Sequence, residues 1–146
     1  MAWTRLGTDT WTDATNSGSS SRTIPTGTEI TIIFVSGYRT LANYFSDGGM
    51  TLGGTAMSEG ATGSNASTSF LMGMTFYRVH SLSGAQTVAW DWAGVDIPNE
   101  GVLFVAVHYS GVNTADPVRT TYGDQEAAPQ YETTALTAVS GDMISV

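Results

Sequence analysis

GVLFVAVHYSGVNTADPV, Gly101 to Val118, is the stretch whose reading decides the fold. Val102 to Tyr109 is a short run of apolar and β-branched residues, bounded by Gly, Asn, Asp and Pro. A run so short and so punctuated reads as a core strand rather than a helix, here ending in a polar turn that closes on Asp116-Pro117. Working outward, Glu29 to Ser36 (EITIIFVS) reads as a second strand. Ile30, Ile32 and Phe34 point one way and Thr31, Ile33 and Val35 the other, since side chains alternate across a strand. Both faces are largely apolar, which places this strand in the middle of a sheet.

The same alternation marks Ser69 to His80, with Phe70, Met72, Met74 and Phe76 on one face and Leu71, Thr75, Tyr77 and Val79 on the other. The two methionine-bearing turns of this pattern read as core filling. Gln86 to Ala93 carries Val88, Trp90 and Trp92 on one face, and Met50 to Ser58 is a strand whose Gly53-Gly54 pair marks a bulge or hairpin turn. Glu132 to Val139 and Met143 to Val146 read as closing strands, and Tyr38 to Phe45 as a short helix or irregular loop. Glu59 to Ser67 and Arg119 to Pro129 read as loops, and Ser17 to Ser21 (SGSSS) as a flexible loop or hairpin tip. The expectation is an all-β, antiparallel, jelly-roll-like β-sandwich of seven or eight strands with little helix. Residues 1–28 read as an N-terminal arm with a first short strand, and residues 29–146 as the sandwich, one domain overall.

Composition agrees. At 146 residues the chain can bury a core of its own, and Gly, Ser and Thr make up more than a third of it. There is no Lys, and the five cations, Arg5, Arg22, Arg39, Arg78 and Arg119, are scattered along the chain. With a formal net charge of -8, this is not the basic footprint of a nucleic-acid binder. There is no Cys, so neither disulfides nor thiolate metal sites hold the fold. Neither a signal-peptide core nor a run long enough to span a bilayer is legible, which predicts synthesis in the cytoplasm and no membrane partner.

The candidate chemistry is sparse. His80 and His108 are the only imidazoles, and neither comes with a nucleophile elbow or an HExxH spacing, so both read as structural. Asp91, Asp96, Glu100 and Asp116 lie around the turns flanking the core strand. They leave a structural calcium open without matching any calcium loop, and no cofactor is expected. Trp90 and Trp92 read as core for at least one ring; exposed, they would form a stacking platform for sugars. Trp3 and Trp11 stand as aromatic anchors in the arm, and Tyr38, Tyr44 and Tyr122 lie in loop-like segments suited to surface contact.

The order of these motifs carries a resemblance. Phe76-Tyr77-Arg78, then Thr87-Val88-Ala89-Trp90, then Tyr109-Ser110-Gly111-Val112 through Pro117 resemble a jelly-roll-like β-sandwich domain of tailed-phage virion structural proteins. The resemblance spans roughly residues 23–146 and is of the capsid decoration, or cement, type. It implies a non-enzymatic virion protein, made in the host cytoplasm, that binds the major capsid protein on the outer surface of the head. Self-association, as a trimer, is expected with it, and contacts at Trp3, Trp11, Tyr38, Tyr44 and Tyr122. Domains of that group usually continue past a strand such as Met143 to Val146, so a longer native chain is expected. The alternative reading is a carbohydrate-binding or host-adhesion domain of a phage tail or secreted protein, with a glycan as partner. A sandwich hydrolase is the third, and no spacing of carboxylates calls for it.

Overall fold

The computed structural model of the protein describes residues 3–39, 49–65, 70–92, 101–115, 117 and 125–126. Among them every regular element is a strand. In chain order they are β1 (Thr4–Asp13), β2 (Ser17–Ile24), β3 (Ile30–Arg39), β4 (Gly49–Leu52), β5 (Thr55–Ala56), β6 (Ser58–Asn65), β7 (Phe70–Val79), β8 (Gly84–Asp91), β9 (Val102–Ser110) and β10 (Gln125–Glu126). The core strand read from the sequence is β9.

One sheet has the order β1-β9-β3-β7-β6-β10 and the other β2-β8-β4-β5. Set β6 and β10 aside, and the orders β1-β9-β3-β7 and β2-β8-β4-β5 are those of a jelly roll, the chain passing from sheet to sheet as it goes. All pairs are antiparallel except the two-residue β10, which runs parallel to β6. The all-β sandwich is therefore as the sequence predicts. The strand count exceeds the expected seven or eight because stretches taken for loops contain strands: the two-residue β10 within Arg119 to Pro129, and two longer stretches.

Those two stretches are instructive. Ser17 to Ser21 lies inside β2 and pairs with Asp91 to Thr87 of β8. Glu59 to Asn65, read as part of a polar loop, belong to β6 against β7. Neither has the apolar alternation that identifies a strand. A strand needs only its backbone to join a ladder, so Gly, Ser and Thr suffice; β2 does so at the edge of its sheet, and β6 between β7 and the two-residue β10. The segment read as an arm likewise contributes β1, ten residues long, to the edge of the larger sheet beside β9. Glu132 to Val139, Met143 to Val146 and most of Tyr38 to Phe45 lie outside the described residues.

Register builds the interior in layers. Ile33 of β3 stands level with Phe76 of β7 and Ala106 of β9, and Val35 with Met74 and Phe104. From the facing sheet, Met50 and Leu52 of β4 stand level with Trp90 and Val88 of β8. These residues join Trp11, Ile24, Met57, Trp92 and Val102 in one buried cluster that draws on both sheets. Phe104 is its hub. Its ring lies 4.9 Å from Trp11, stacked, 4.9 Å from Trp90 and 6.4 Å from Trp92. Burial of rings this large is the main stabilising term of such a core.

Three glycines are required, two by a turn and one by packing. Gly53 and Gly54 both have positive φ, +56° and +75°, which is the two-residue hairpin turn between β4 and β5 rather than a bulge. Gly18 has an ordinary backbone but leaves room for an indole, since a Cβ there would fall 2.7 Å from Cζ2 of Trp90.

The edge formed by β1 and β2 carries one inward charge. Arg22 of β2 reaches Asp9 of β1 at 3.5 Å, donates to Ser20 Oγ at 2.6 Å, and lies 4.4 Å above the Trp11 ring. A charge turned inward at a sheet edge discourages a second sheet from pairing there.

Candidate functional site

Two features outside the aromatic core are candidates for function. The first is the outer face of the six-stranded sheet. On β3 and β9 the residues that point away from the core are apolar too: Ile30, Ile32 and Phe34, and Leu103, Val105 and Val107. Ile30, Ile32 and Val112 form a second buried cluster, with Trp3, Phe34, Tyr77, Val79 and Tyr109 packed on it. Trp3 meets Tyr109 edge to face at 5.5 Å. The covering is graded along the strands. Ile30 is fully buried beside Tyr109, Phe34 beside Val105 is partly open, and Leu103 is 43% exposed. Leu103 is the one large apolar residue that is exposed among the described residues. Neighbouring β1 presents only exposed Thr8, Thr10 and Thr12 beside this row. The face is thus an apolar stripe that opens toward Leu103 and is rimmed by threonine.

The second feature lies in the interior. Thr31, fully buried on β3, stands level with Arg78 of β7 and His108 of β9. Its Oγ1 is 2.8 Å from Nε2 of His80 and 2.9 Å from Nδ1 of His108. The protons in this chain can be assigned. Leu82 N–H donates to His80 Nδ1 at 3.1 Å, so that nitrogen is an acceptor and the neutral ring carries its proton on Nε2. His80 Nε2–H then donates to Thr31 Oγ1, whose hydroxyl is shared with His108 Nδ1. His108 Nε2 is a buried atom with no hydrogen-bond partner among the described residues.

Both rings are held neutral. Burial, helped by the positive charge of Arg78 and by His108, lowers His80 from 6.5 to about 4. Burial lowers His108 as well, against an opposing pull from Asp9. Arg78 is itself anchored to the opposite sheet, donating from Nη1 to the Leu52 carbonyl. The His80 lone pair already accepts a hydrogen bond from the Leu82 amide, so this ring is not poised to take a proton from a substrate.

The sequence-derived site residues divide. Trp3 lies on the outer face against Tyr109. Trp11, expected at a surface contact, is only 8% exposed and stacks on Phe104, because it points inward from β1. Tyr38 belongs to β3 by its backbone, and nothing is described of its side chain. Tyr44 and Tyr122 lie outside the described residues. Of the loop carboxylates, Asp91 is exposed at the end of β8, while Asp96, Glu100 and Asp116 lie outside the described residues. No group of three or more metal-ligating side chains forms among the described residues. Trp90 and Trp92 are 3% and 0% exposed, which removes the sugar-stacking platform that the glycan alternative required of them.

Sequence reasoning missed the Thr31 bridge and the stripe opening at Leu103. Signals for both existed. Thr31 is a lone polar residue on the inward face of an isoleucine-rich strand, and Leu103 and Val105 continue an apolar pattern on what a two-layer sandwich leaves as the outside. Comparison with protein-family models, with curated proteins and with solved structures finds no match to this chain.

Proposed function

We propose that this chain is a non-enzymatic structural protein of a virus particle, of the head-decoration type. In this reading it binds the major capsid protein on the outer surface of a tailed-phage head and reinforces the shell, self-associated as a trimer. One observation carries the reading: a jelly roll whose larger sheet presents an apolar stripe outward, ending at exposed Leu103. Monomeric domains seldom leave contiguous apolar surface uncovered without a partner for it. On a shell the same modest contact repeats at every symmetry-related site, so a small patch per copy is enough. The imidazoles that would interest an enzymologist are bound to each other through Thr31, which also favours a structural role. A net charge of -8 on the remaining surface would keep decorated particles dispersed.

Quantitative mass spectrometry of gradient-purified particles tests the reading. Copies in numbers comparable with the major capsid protein are expected. A handful per particle would move the protein to the tail, and its absence would end the proposal. The docking face is tested by Leu103→Asp, which should abolish uptake onto undecorated heads while the variant melts as the wild type does. Full uptake of that variant would relocate the contact.

A further inference from the structure

We propose that the Thr31–His80–His108 chain is an acid-sensitive joint, which pins the connection between β7 and β8 while His80 is neutral and releases it when that ring takes a second proton. The argument is one of donors and acceptors. His80 Nδ1 is the acceptor for the Leu82 amide, and Nε2 is already the donor to Thr31. A second proton can go only onto Nδ1. There it replaces the lone pair, and an N–H then faces the Leu82 N–H donor. The joint cannot adapt by turning the ring over, because the other nitrogen would then meet the same conflict.

The consequence is local. His80 to Ser83 joins β7 to β8, so it links the two sheets. Leu82, in the middle of it, packs on the main core cluster and lies close to Gly53 of the β4–β5 turn. Losing the Leu82 anchor would lift this plug from the end of the sandwich and leave the aromatic layers in place. The rest of the anchoring ends on backbone carbonyls. His80 N–H is held by the Glu29 carbonyl at 2.9 Å, and Arg78 by the Leu52 carbonyl.

The charged groups around the joint come from every neighbouring element. From β7, Arg78 opposes a proton on His80, as does His108 on β9. From β1, Asp9 favours a proton on His108, but it is paired with Arg22 of β2. Glu29, ahead of β3, has its carboxylate occupied by the Val112 amide at 2.8 Å. His80 is the half-buried member and His108 the fully buried one, so the proton from solvent arrives at His80. Lowering of its pKa to about 4 means that the joint holds at neutral pH and opens in the acid range. The joint belongs to the fold and stands apart from the capsid reading.

The test is amide hydrogen exchange by NMR from pH 7.5 to 4, expressed as protection factors so that the intrinsic pH dependence of exchange cancels. Leu82 should lose protection as the pH falls below 6.5, while Phe104 and Val35 keep theirs. Each unit by which the folded midpoint lies below 6.5 corresponds to about a tenfold preference of the proton for the released state. In His80→Asn the amide oxygen can still accept from Leu82 but cannot titrate, so Leu82 protection should no longer depend on pH. Unchanged Leu82 protection across the range in the wild type, or an equal loss in His80→Asn, would overturn the proposal. Should His80→Asn not fold, the imidazole nitrogen shifts of the unaltered protein decide. An Nε2–H tautomer with a midpoint well below 6.5 supports the joint, and a midpoint at or above 6.5 refutes it.

Discussion

Toward one end of the space between the sheets Trp11, Trp90, Trp92 and Phe104 meet ring to ring; toward the other, Thr31, His80 and His108 share hydrogen bonds and Arg78 donates to the Leu52 carbonyl. The two ends share strands: Phe104 and His108 lie on β9, Val35 and Thr31 on β3. What differs is the kind of interaction. Ring burial is large, weakly directional and indifferent to pH. The polar chain contributes little net free energy while complete, but it becomes costly when one member is removed or charged. The aromatic end therefore supplies stability and the polar end supplies conditional order.

The widest test of this contrast is Phe104→Ala. It removes the hub that three indoles touch, and a loss of about 3–5 kcal/mol by denaturant titration is expected. A loss below ~1 kcal/mol would mean that the rings do not share a hub. Next in size is Gly18→Ala, where the new methyl would press on Trp90 and should cost about 1–3 kcal/mol. Trp90→Phe in the same chain should recover part of that loss, since the smaller ring vacates the contested space.

At the polar end Thr31→Val keeps the shape and removes the hydroxyl, leaving His80 Nε2–H and His108 Nδ1 without their common partner. A loss of ~1–3 kcal/mol is expected, with Thr31→Ser closer to wild type because it keeps the hydroxyl. Equal melting of the Val and Ser variants would show that the bridge is only packing.

The smallest effect is the pH slope. His80 has a folded pKa, about 4, below its ordinary 6.5, so the unfolded chain binds the proton more readily. The stabilisation is fully present above pH 6.5 and is lost as the pH falls from 6.5 toward 4. His80 keeps part of its surface in water, so the fall should be on the order of 1 kcal/mol rather than the full amount implied by the shift. Thermal melts at pH 7.5 and 4.5 measure it, and His80→Asn should flatten the difference attributable to this ring. Phe104→Ala, by contrast, should leave the slope unchanged.

Particular residues show how far the sequence could be read. The alternation in Glu29 to Ser36 put Ile30 and Ile32 on one face and Ile33 and Val35 on the other, and the structure turns the second pair into the main core and the first toward the outer cluster. The central position of that strand followed from its two apolar faces, and it lies between β9 and β7. At least one ring of Trp90 and Trp92 was legible as core through Val88 on the same face, and the structure buries both. The Ser-, Gly- and Thr-rich strands were not legible: Ser17 to Ser21 and Glu59 to Asn65 pair through their backbones, and backbone pairing leaves little trace in side-chain pattern. Trp11 sits in a Thr-rich stretch that looks solvated, and only the pairing of β1 with β9 turns it inward.

By itself, then, the sequence determined the fold class, the central strands and the lining of the core, because a period of two in hydrophobicity is a local property that burial reads directly. The tertiary structure alone decided that Thr31, His80 and His108, far apart in the chain, share one hydrogen-bonded line. It alone decided that the stripe of Ile32, Phe34 and Val105 runs out to solvent at Leu103. Both depend on which strands become neighbours and in what register, and that follows from closing the whole jelly roll rather than from any one segment.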